Sequence, residues 1–399
     1  MPSQHVLVLN CGSSSLKFAI IDANQGDEIL SGLAERLGDE SPLLKYKYNG
    51  TKQQLSLPAG SAHQVAILQL VTLIEQLSLT NQLVAVGHRV VHGGETFTRS
   101  VLVDEGVIAA IQATSTLAPL HNPANLIGIE VASKAFSDLP QIAVFDTAFH
   151  QTMPKTAYLY AAPYRLYREH GVRRYGFHGT SHYYVSEQGR QILGLTKENS
   201  RIICAHLGNG CSVTAVLNGQ SVDTSMGMTP LEGLVMGTRS GDIDPGLIIF
   251  LSQQLGYSMA EVDTLLNKHS GLLGISELSN DCRSIEEAAA NGDAQAQLAL
   301  DIFCYRLAKY IASLVVPLGG LDALIFTGGI GENSDLIRAN VLKQLQFLGL
   351  DCDSEKNTAA RFGQAGVISS DTAKTVALVI PTNEEWVIAT DAARLAQEV

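Results

Sequence analysis

The chain has 399 residues, of which 46% are hydrophobic and 17% charged, with a formal net charge of −12. That composition excludes a disordered chain, and the acidic balance leaves no basic stripe for a nucleic-acid surface. The length suits two domains, each able to bury its own core.

No apolar run approaches the roughly 20 residues that span a bilayer, and no charged segment followed by an apolar stretch opens the chain. No membrane or nucleic-acid partner is therefore expected, and the protein reads as cytoplasmic. The six cysteines form no C-x-x-C pair, so free thiols are expected.

In chain order, apolar runs at 6–9 and 18–21 flank the turn Asn10-Cys11-Gly12-Ser13-Ser14-Ser15-Leu16-Lys17. This spacing predicts a strand–turn–strand hairpin. It is not a P-loop, because Lys17 follows a single glycine and leads into a second β-type run, not a helix. A strand at 85–87 runs into Gly87-His88-Arg89-Val90-Val91-His92-Gly93-Gly94, and another at 142–145 runs into Asp146. A second hairpin follows at 202–205 and 213–216, around His206-Leu207-Gly208-Asn209-Gly210-Cys211-Ser212.

Phe303, Leu307, Tyr310, Ile311 and Leu314 recur on one helix face, which Pro317 and Gly319-Gly320 are expected to end. A strand at 323–326 then leads to Thr327-Gly328-Gly329-Ile330-Gly331-Glu332-Asn333. The next helix, capped by Asn333 or Ser334, carries Leu336, Ile337, Val341 and Leu345. After a strand at 377–380, an amphipathic helix with Ile388, Ala392, Leu395, Ala396 and Val399 on one side ends the reading. Strands alternating with helices give an α/β fold.

Three glycine-bearing turns let backbone N–H groups converge on an anion, and two similar hairpins about 200 residues apart suggest duplicated halves gripping one phosphate chain. Arg89 and Arg239, the latter in Met236-Gly237-Thr238-Arg239-Ser240-Gly241-Asp242, carry the fork that matches carboxylate or phosphate oxygens. Asp146 stands where ligands collect, at the carboxyl end of a strand. It could organise Mg²⁺ through waters, act as a base, or cap the next helix. His178 and His182 have zinc-like spacing, but H-E-x-x-H is missing and Gly179 opposes a helix there. A single histidine donating to a charged oxygen is the better reading.

These segments together resemble the bacterial acetate kinase (acetokinase) family along the whole chain. The resemblance rests on N-C-G-S-S-S-L-K at 10–17, G-H-R-V-V-H-G-G at 87–94, P-L-H-N-P at 119–123 and F-D-T-A-F-H at 145–150. It continues with R-R-Y-G-F-H-G-T-S-H at 173–182, H-L-G-N-G at 206–210, D-T-S-M-G-M-T-P-L-E-G at 223–233, G-T-R-S-G-D at 237–242, G-G-I-G-E-N at 328–333 and P-T-N-E-E at 381–385.

The resemblance implies a duplicated actin-like (ribonuclease H-like) ATPase fold, two domains with a cleft between them. The first lobe would span 1–150 plus 383–399. The second, 151–382, would carry the nucleotide site and a dimer interface. It further implies reversible, Mg²⁺-dependent transfer of the ATP γ-phosphate to acetate, giving acetyl phosphate and ADP in a homodimer, with Mn²⁺ as a substitute metal.

By the same resemblance Asn10 and Glu384 are the metal positions and Lys17 a nucleotide-phosphate contact. Arg89 binds the substrate carboxylate, and Val91, Leu120, Phe177 and Pro230 form its methyl pocket. Asp146, His178 and Arg239 are the catalytic set. His206, Leu207, Gly208, Asn209, Gly210, Asp281, Cys282, Arg283, Gly329, Ile330, Gly331, Glu332 and Asn333 contact ATP. Propionate kinase, or another short-chain acid kinase, is the nearest alternative. Cys211 departs from the small residue expected after H-L-G-N-G, which suggests a reactive thiol beside the phosphates.

Overall fold

The computed structural model describes residues 4–119 and 121–398. Two compact units divide the chain, Met1–Gln151 with Asn383–Val399, and Thr152–Thr382.

The first unit is built on eight strands: β1 (His5–Cys11), β2 (Leu16–Asp22), β3 (Glu28–Glu35), β4 (Leu43–Tyr48), β5 (Thr51–Ser56), β6 (Leu83–Val90), β7 (Val101–Leu102) and β8 (Gln141–Phe145), in the order β5-β4-β3-β2-β1-β6-β8-β7. The second has β9 (Arg201–Leu207), β10 (Cys211–Leu217), β11 (Gln220–Thr224), β12 (Ala323–Thr327), β13 (Gly366–Val367) and β14 (Val376–Val379), in the order β11-β10-β9-β12-β14-β13.

A common pattern underlies both. β1 pairs antiparallel with β2 and parallel with β6, and β6 is parallel to β8. β9 pairs antiparallel with β10 and parallel with β12, and β12 is parallel to β14. With β3 antiparallel to β2 and β11 antiparallel to β10, one five-stranded arrangement, antiparallel on one side and parallel on the other, is repeated, which is the duplicated actin-like plan.

Alternation along the central strands decides what each face buries. Leu7, Leu9, Phe18 and Ile20 pack with Ile67, Leu70 and Ile74 of helix His63–Gln76 and with Ala132 of helix Asn122–Ala135. The intervening Val6, Val8, Ala19 and Ile21 face Ile388, Ala389, Ala392 and Ala393 of helix Glu384–Ala396. Gly87 in β6 permits that approach, since a Cβ there would sit 2.6 Å from Ile388 Cγ2. In the parallel strands the carboxyl ends are where loops collect and ligands bind. Asn10, Arg89 and Asp146 lie at those ends of β1, β6 and β8, and His206 and Thr327 at those of β9 and β12.

Two local expectations need correction. Helix Ala294–Leu318 runs through Pro317 and stops one residue later, where Gly319 takes the left-handed conformation at φ 65°. Glycine, not proline, terminates it. The glycines after β12 are themselves helical, Gly328–Asn333, and Ser334 caps the following helix, Asp335–Gln344, by accepting from Ile337 N–H. Leu336 points to solvent there, while Ile337, Val341 and Leu342 are buried. Among the described residues no helix is long and apolar enough to cross a membrane.

Candidate phosphotransfer site

In the first unit the parallel register seats Arg89 one residue before the end of β6, and Asp146 N–H donates to the Val90 carbonyl at 3.0 Å. The two side chains meet edge-on. Arg89 Nε and Nη2 donate to Asp146 Oδ1 and Oδ2 at 3.0 and 2.6 Å, and Nη1 to Asn10 Oδ1 at 3.3 Å. Asp146 is only 1% exposed, so it is bound as an ion pair and does not serve as a helix cap. Burial alone would weaken the Arg89 cation, but the Asp146 charge and hydrogen bonds outweigh it and hold the guanidinium above its ordinary pKa. Of the five N–H groups on a guanidinium, two remain for a further anion.

Glu384 and Glu385 open helix Glu384–Ala396, where the helix dipole favours negative charge. Lys17 Nζ pairs with Glu385. Burial raises the Glu384 carboxyl to about 7, and the Asp146 and Glu385 charges add to that, against opposition from Arg89 and Lys17. Three carboxylates thus face two cations. Among the described residues no three His, Cys, Asp or Glu side chains form a closed metal cage. The oxygens of Asn10 and Glu384, with Asp146 beside them, suit a hard cation that keeps waters and takes its other ligands from phosphate. The uncompensated negative charge fits such an ion.

Sequence reasoning missed what shapes the loop after β6. Asn125 Oδ1 accepts from Val91 N–H, Asn122 Oδ1 from His92 N–H and Thr147 Oγ1 from Gly93 N–H, each at 3.1 Å. Asn122 was visible as the fourth letter of P-L-H-N-P, but nothing local says what it holds. Val91 is buried against this frame. Leu120, the other apolar pocket candidate of this segment, lies outside the described residues.

In the second unit the β9–β10 turn meets two cationic or donor side chains. A Cβ on Gly210 would lie 3.2 Å from Arg239 Nη1 and 3.6 Å from His178 Cε1. His178 reaches this place because it adopts φ 56° immediately before helix Gly179–Ile192. Its ring stacks on His206 with centroids 4.3 Å apart. Arg239 is held by the Pro230 carbonyl at 3.3 Å and Met236 Sδ at 3.8 Å, and burial lowers its pKa. It has no carboxylate partner among the described residues. A half-buried guanidinium without a carboxylate partner is a receptor for an anion. Pro230 is half-buried on the same loop, and Phe177 is buried next to His178.

A cavity of about 540 Å³ opens beside this turn, lined by Gly208, Asn209, Asp281, Cys282, Arg283, Gly329, Ile330 and Asn333 together with Asn280, Glu286, Ser334 and Arg361. That volume suits a nucleotide-sized ligand. His206, Leu207, Gly210, Gly331 and Glu332 do not line it. Leu207 is core, and the Glu332 carboxylate accepts from the N–H groups of Gly328 at 2.9 Å and Thr382 at 3.1 Å. Cys211 overturns the expectation of a reactive thiol: burial pushes it to about 12, against a lowering by the Gly208 backbone and the Arg239 charge, and its Sγ donates to the Gly208 carbonyl at 3.1 Å.

Glycine turns at the carboxyl ends of both sheets, a half-buried arginine with no carboxylate partner among the described residues and a nucleotide-sized cavity fit a kinase of the duplicated actin-like class. The profile of the Acetokinase family matches residues 5–390, and the chain belongs to that family. It is 63% identical over 397 residues to an acetate kinase from Shewanella sp. strain ANA-3, covering 99% of each chain. Among solved structures it is similar to a propionate kinase from Francisella tularensis (47% identity, TM-score 0.94, covering 98% of this chain and 100% of that one). It is likewise similar to the Porphyromonas gingivalis acetate kinase (45%, TM-score 0.93, 98% and 99%). Membership implies a nucleotide substrate and a divalent metal.

Proposed function

We propose that the protein transfers the γ-phosphoryl group of ATP to acetate, reversibly, giving acetyl phosphate and ADP. The observation that carries this reading is the pair of arginines in different electrostatic states: Arg89 fixed by Asp146 with spare N–H groups, and Arg239 half-buried with no carboxylate partner among the described residues. The first suits orientation of a small carboxylate and the second stabilisation of a phosphoryl group in flight.

Acetate is ionised at neutral pH, as its pKa is near the ~4.3 of a glutamate side chain, so no base is needed to make it a nucleophile. What remains is alignment and neutralisation of charge. Arg89 orients the acceptor carboxylate, and Val91, Leu120, Phe177 and Pro230 enclose its methyl group. His178 and Arg239 donate to the phosphoryl oxygens, while Gly208, Asn209, residues 281–283, Gly329, Ile330 and Asn333 hold the nucleotide, with Lys17 on its phosphates. Asn10 and Glu384 would hold Mg²⁺, or Mn²⁺ in its place, with Asp146 ordering its waters. The metal would supply charge neutralisation on the phosphates.

Trapping with hydroxylamine tests the reaction class, because only an acyl phosphate yields a hydroxamate. Acetate should be the best acid, with propionate weaker by up to about 3 kcal/mol of discrimination for one methylene. Equal kcat/KM for acetate and butyrate would count against the pocket, and a preference for propionate would move the chain to the alternative acid kinase.

Glu384 makes the metal dependence sensitive to pH. Its folded pKa of about 7 stands above the ordinary 4.5, so the folded chain holds a proton there that the unfolded chain lacks. The stability this proton contributes is complete below 4.5 and is lost as pH rises through 7. Binding of a cation needs the ionised form. Apparent Mg²⁺ affinity should therefore weaken below about pH 7, by up to roughly tenfold per unit. Glu384→Gln should weaken binding and flatten that dependence, and titration at several pH values with no trend would remove Glu384 from the metal site.

The second unit also leaves an apolar surface on the helices Pro245–Gln254 and Met259–Lys268, where Ile249 is 57%, Leu255 57% and Met259 63% exposed. Phe250 lies beside them, half exposed. Exposed apolar side chains on two neighbouring helices support a homodimer through this unit. A solution mass of one chain, 42.6 kDa, by light scattering would refute it. Composition supports a cytoplasmic enzyme, which fractionation of cells would check.

A further inference from the structure

We infer that Ser212 is a positioning residue that fixes the tautomer of His178 and so aims an N–H group, not a lone pair, at the transferring phosphoryl group. The inference rests on the phosphotransfer reading above. Ser212 is the second residue of β10, opposite His206 in the ladder, and is 0% exposed. Its Oγ lies 2.9 Å from His178 Nδ1 and 2.7 Å from His182 Nε2.

A hydroxyl that donates to one of two imidazole nitrogens and accepts from the other has two neutral arrangements, and a third, in which Oγ accepts from both rings, leaves His178 with a bare Nε2 as the second does. In the first, His182 Nε2–H donates to Ser212 Oγ and the Ser212 hydroxyl donates to His178 Nδ1, which leaves the His178 proton on Nε2. In the second every bond is reversed, and His178 presents a bare Nε2. That atom is the one on the side of the phosphate turn, 3.7 Å from where a Gly210 Cβ would stand. A lone pair aimed there would repel an anion, whereas an N–H stabilises it.

A protonated His178 would make the tautomer irrelevant, and its surroundings oppose that. Among the groups beside it are His182 on its own helix, His206 stacked from β9, and the Arg239 guanidinium, whose Nη1 lies 3.2 Å from the same Gly210 position. A second cation beside Arg239 at the amino end of a 14-residue helix is disfavoured by both charges. The neighbouring imidazole follows the same logic. Thr382 Oγ1 donates to Ser181 Oγ at 2.8 Å, which leaves the Ser181 proton available to His206 Nδ1, also at 2.8 Å. In that arrangement both stacked rings carry the proton on Nε2.

The test uses the full-length protein with ¹⁵N-labelled histidine. In the wild type the His178 signals, identified by their loss in His178→Gln, should have the pattern of an Nε2–H tautomer. Ser212→Ala should shift them towards Nδ1–H and lower kcat about 10- to 100-fold, as loss of an orienting partner does, with KM for ATP and acetate changed by no more than about twofold. Ser212→Thr should restore both the spectrum and kcat.

An unchanged His178 pattern in Ser212→Ala, or an unchanged kcat, would overturn the inference. So would a Ser212→Thr protein with the wild-type spectrum that stays as slow as the alanine variant. The spectra are recorded without substrate, so they read the tautomer even if the acceptor proves not to be acetate. Failure of the wild type to form an acyl phosphate would instead sink the functional reading.

Discussion

Arg239→Ala is expected to lower kcat about 10³-fold or more, the effect of removing an arginine that stabilises a transferring phosphoryl group, while leaving the thermal midpoint near that of the wild type. Both halves of the expectation follow from the way the side chain is held. Its loop is fixed by main-chain bonds: Met236 N–H to the Arg239 carbonyl at 3.1 Å, Gly237 N–H to the Asn209 carbonyl at 2.9 Å and Ser270 N–H to the Thr238 carbonyl at 2.9 Å. None of these needs the guanidinium. Because no carboxylate pairs with it among the described residues, its loss strands no buried anion. Lysine should recover only part of the rate, since a point charge cannot reproduce a planar fork. Steady-state kinetics beside a melting curve decides the matter, and near-normal turnover in the alanine variant would remove Arg239 from the chemistry.

Arg338→Ala should instead cost stability, about 3–5 kcal/mol, from a large cavity and several stranded acceptors. Arg338 is the largest side chain wholly out of solvent. Its Nε donates to Asn357 Oδ1 at 2.7 Å and its Nη1 to the Gly331 carbonyl at 2.9 Å, while Nη2 reaches the carbonyls of Asn357 at 2.6 Å and Ala360 at 3.1 Å. Burial drags its pKa down to about 10, yet the cation survives at neutral pH because carbonyls surround it. At roughly 2–4 °C per kcal/mol for a unit of this size, the melting midpoint should fall by about 10 °C. Gly331 belongs to the nucleotide segment, so KM for ATP should rise as well. A variant that melts with the wild type would mean the site collapses around the gap.

The two glycine hairpins were legible because their determinants are local: apolar runs of strand length on either side of a turn that tolerates few other residues. Arg89, Asp146 and Arg239 were legible for a related reason, as each stands beside a strand end or glycines where a charged residue has no packing role. The polar edge of the first sheet was not. β5 reads Thr-Lys-Gln-Gln-Leu-Ser and is almost wholly exposed, so it offers no burial pattern to detect, and only pairing with β4 makes it a strand. Arg338 escaped for the opposite reason. On helix Asp335–Gln344 it looks like one more solvated cation, and the acceptors that enclose it come from up to 22 residues away. Ser212 was hidden likewise, since its partners belong to another element.

Assignment of Asn383–Val399 to the first unit has a consequence for synthesis on the ribosome. Val6, Val8, Ala19 and Ile21 emerge early, but the helix that covers them follows the whole of the second unit. Until then a nascent first unit carries a bare greasy flank and lacks the Glu384 and Glu385 carboxylates. Translation that halts short of that helix should thus release a sticky, inert fragment and not a half-active enzyme.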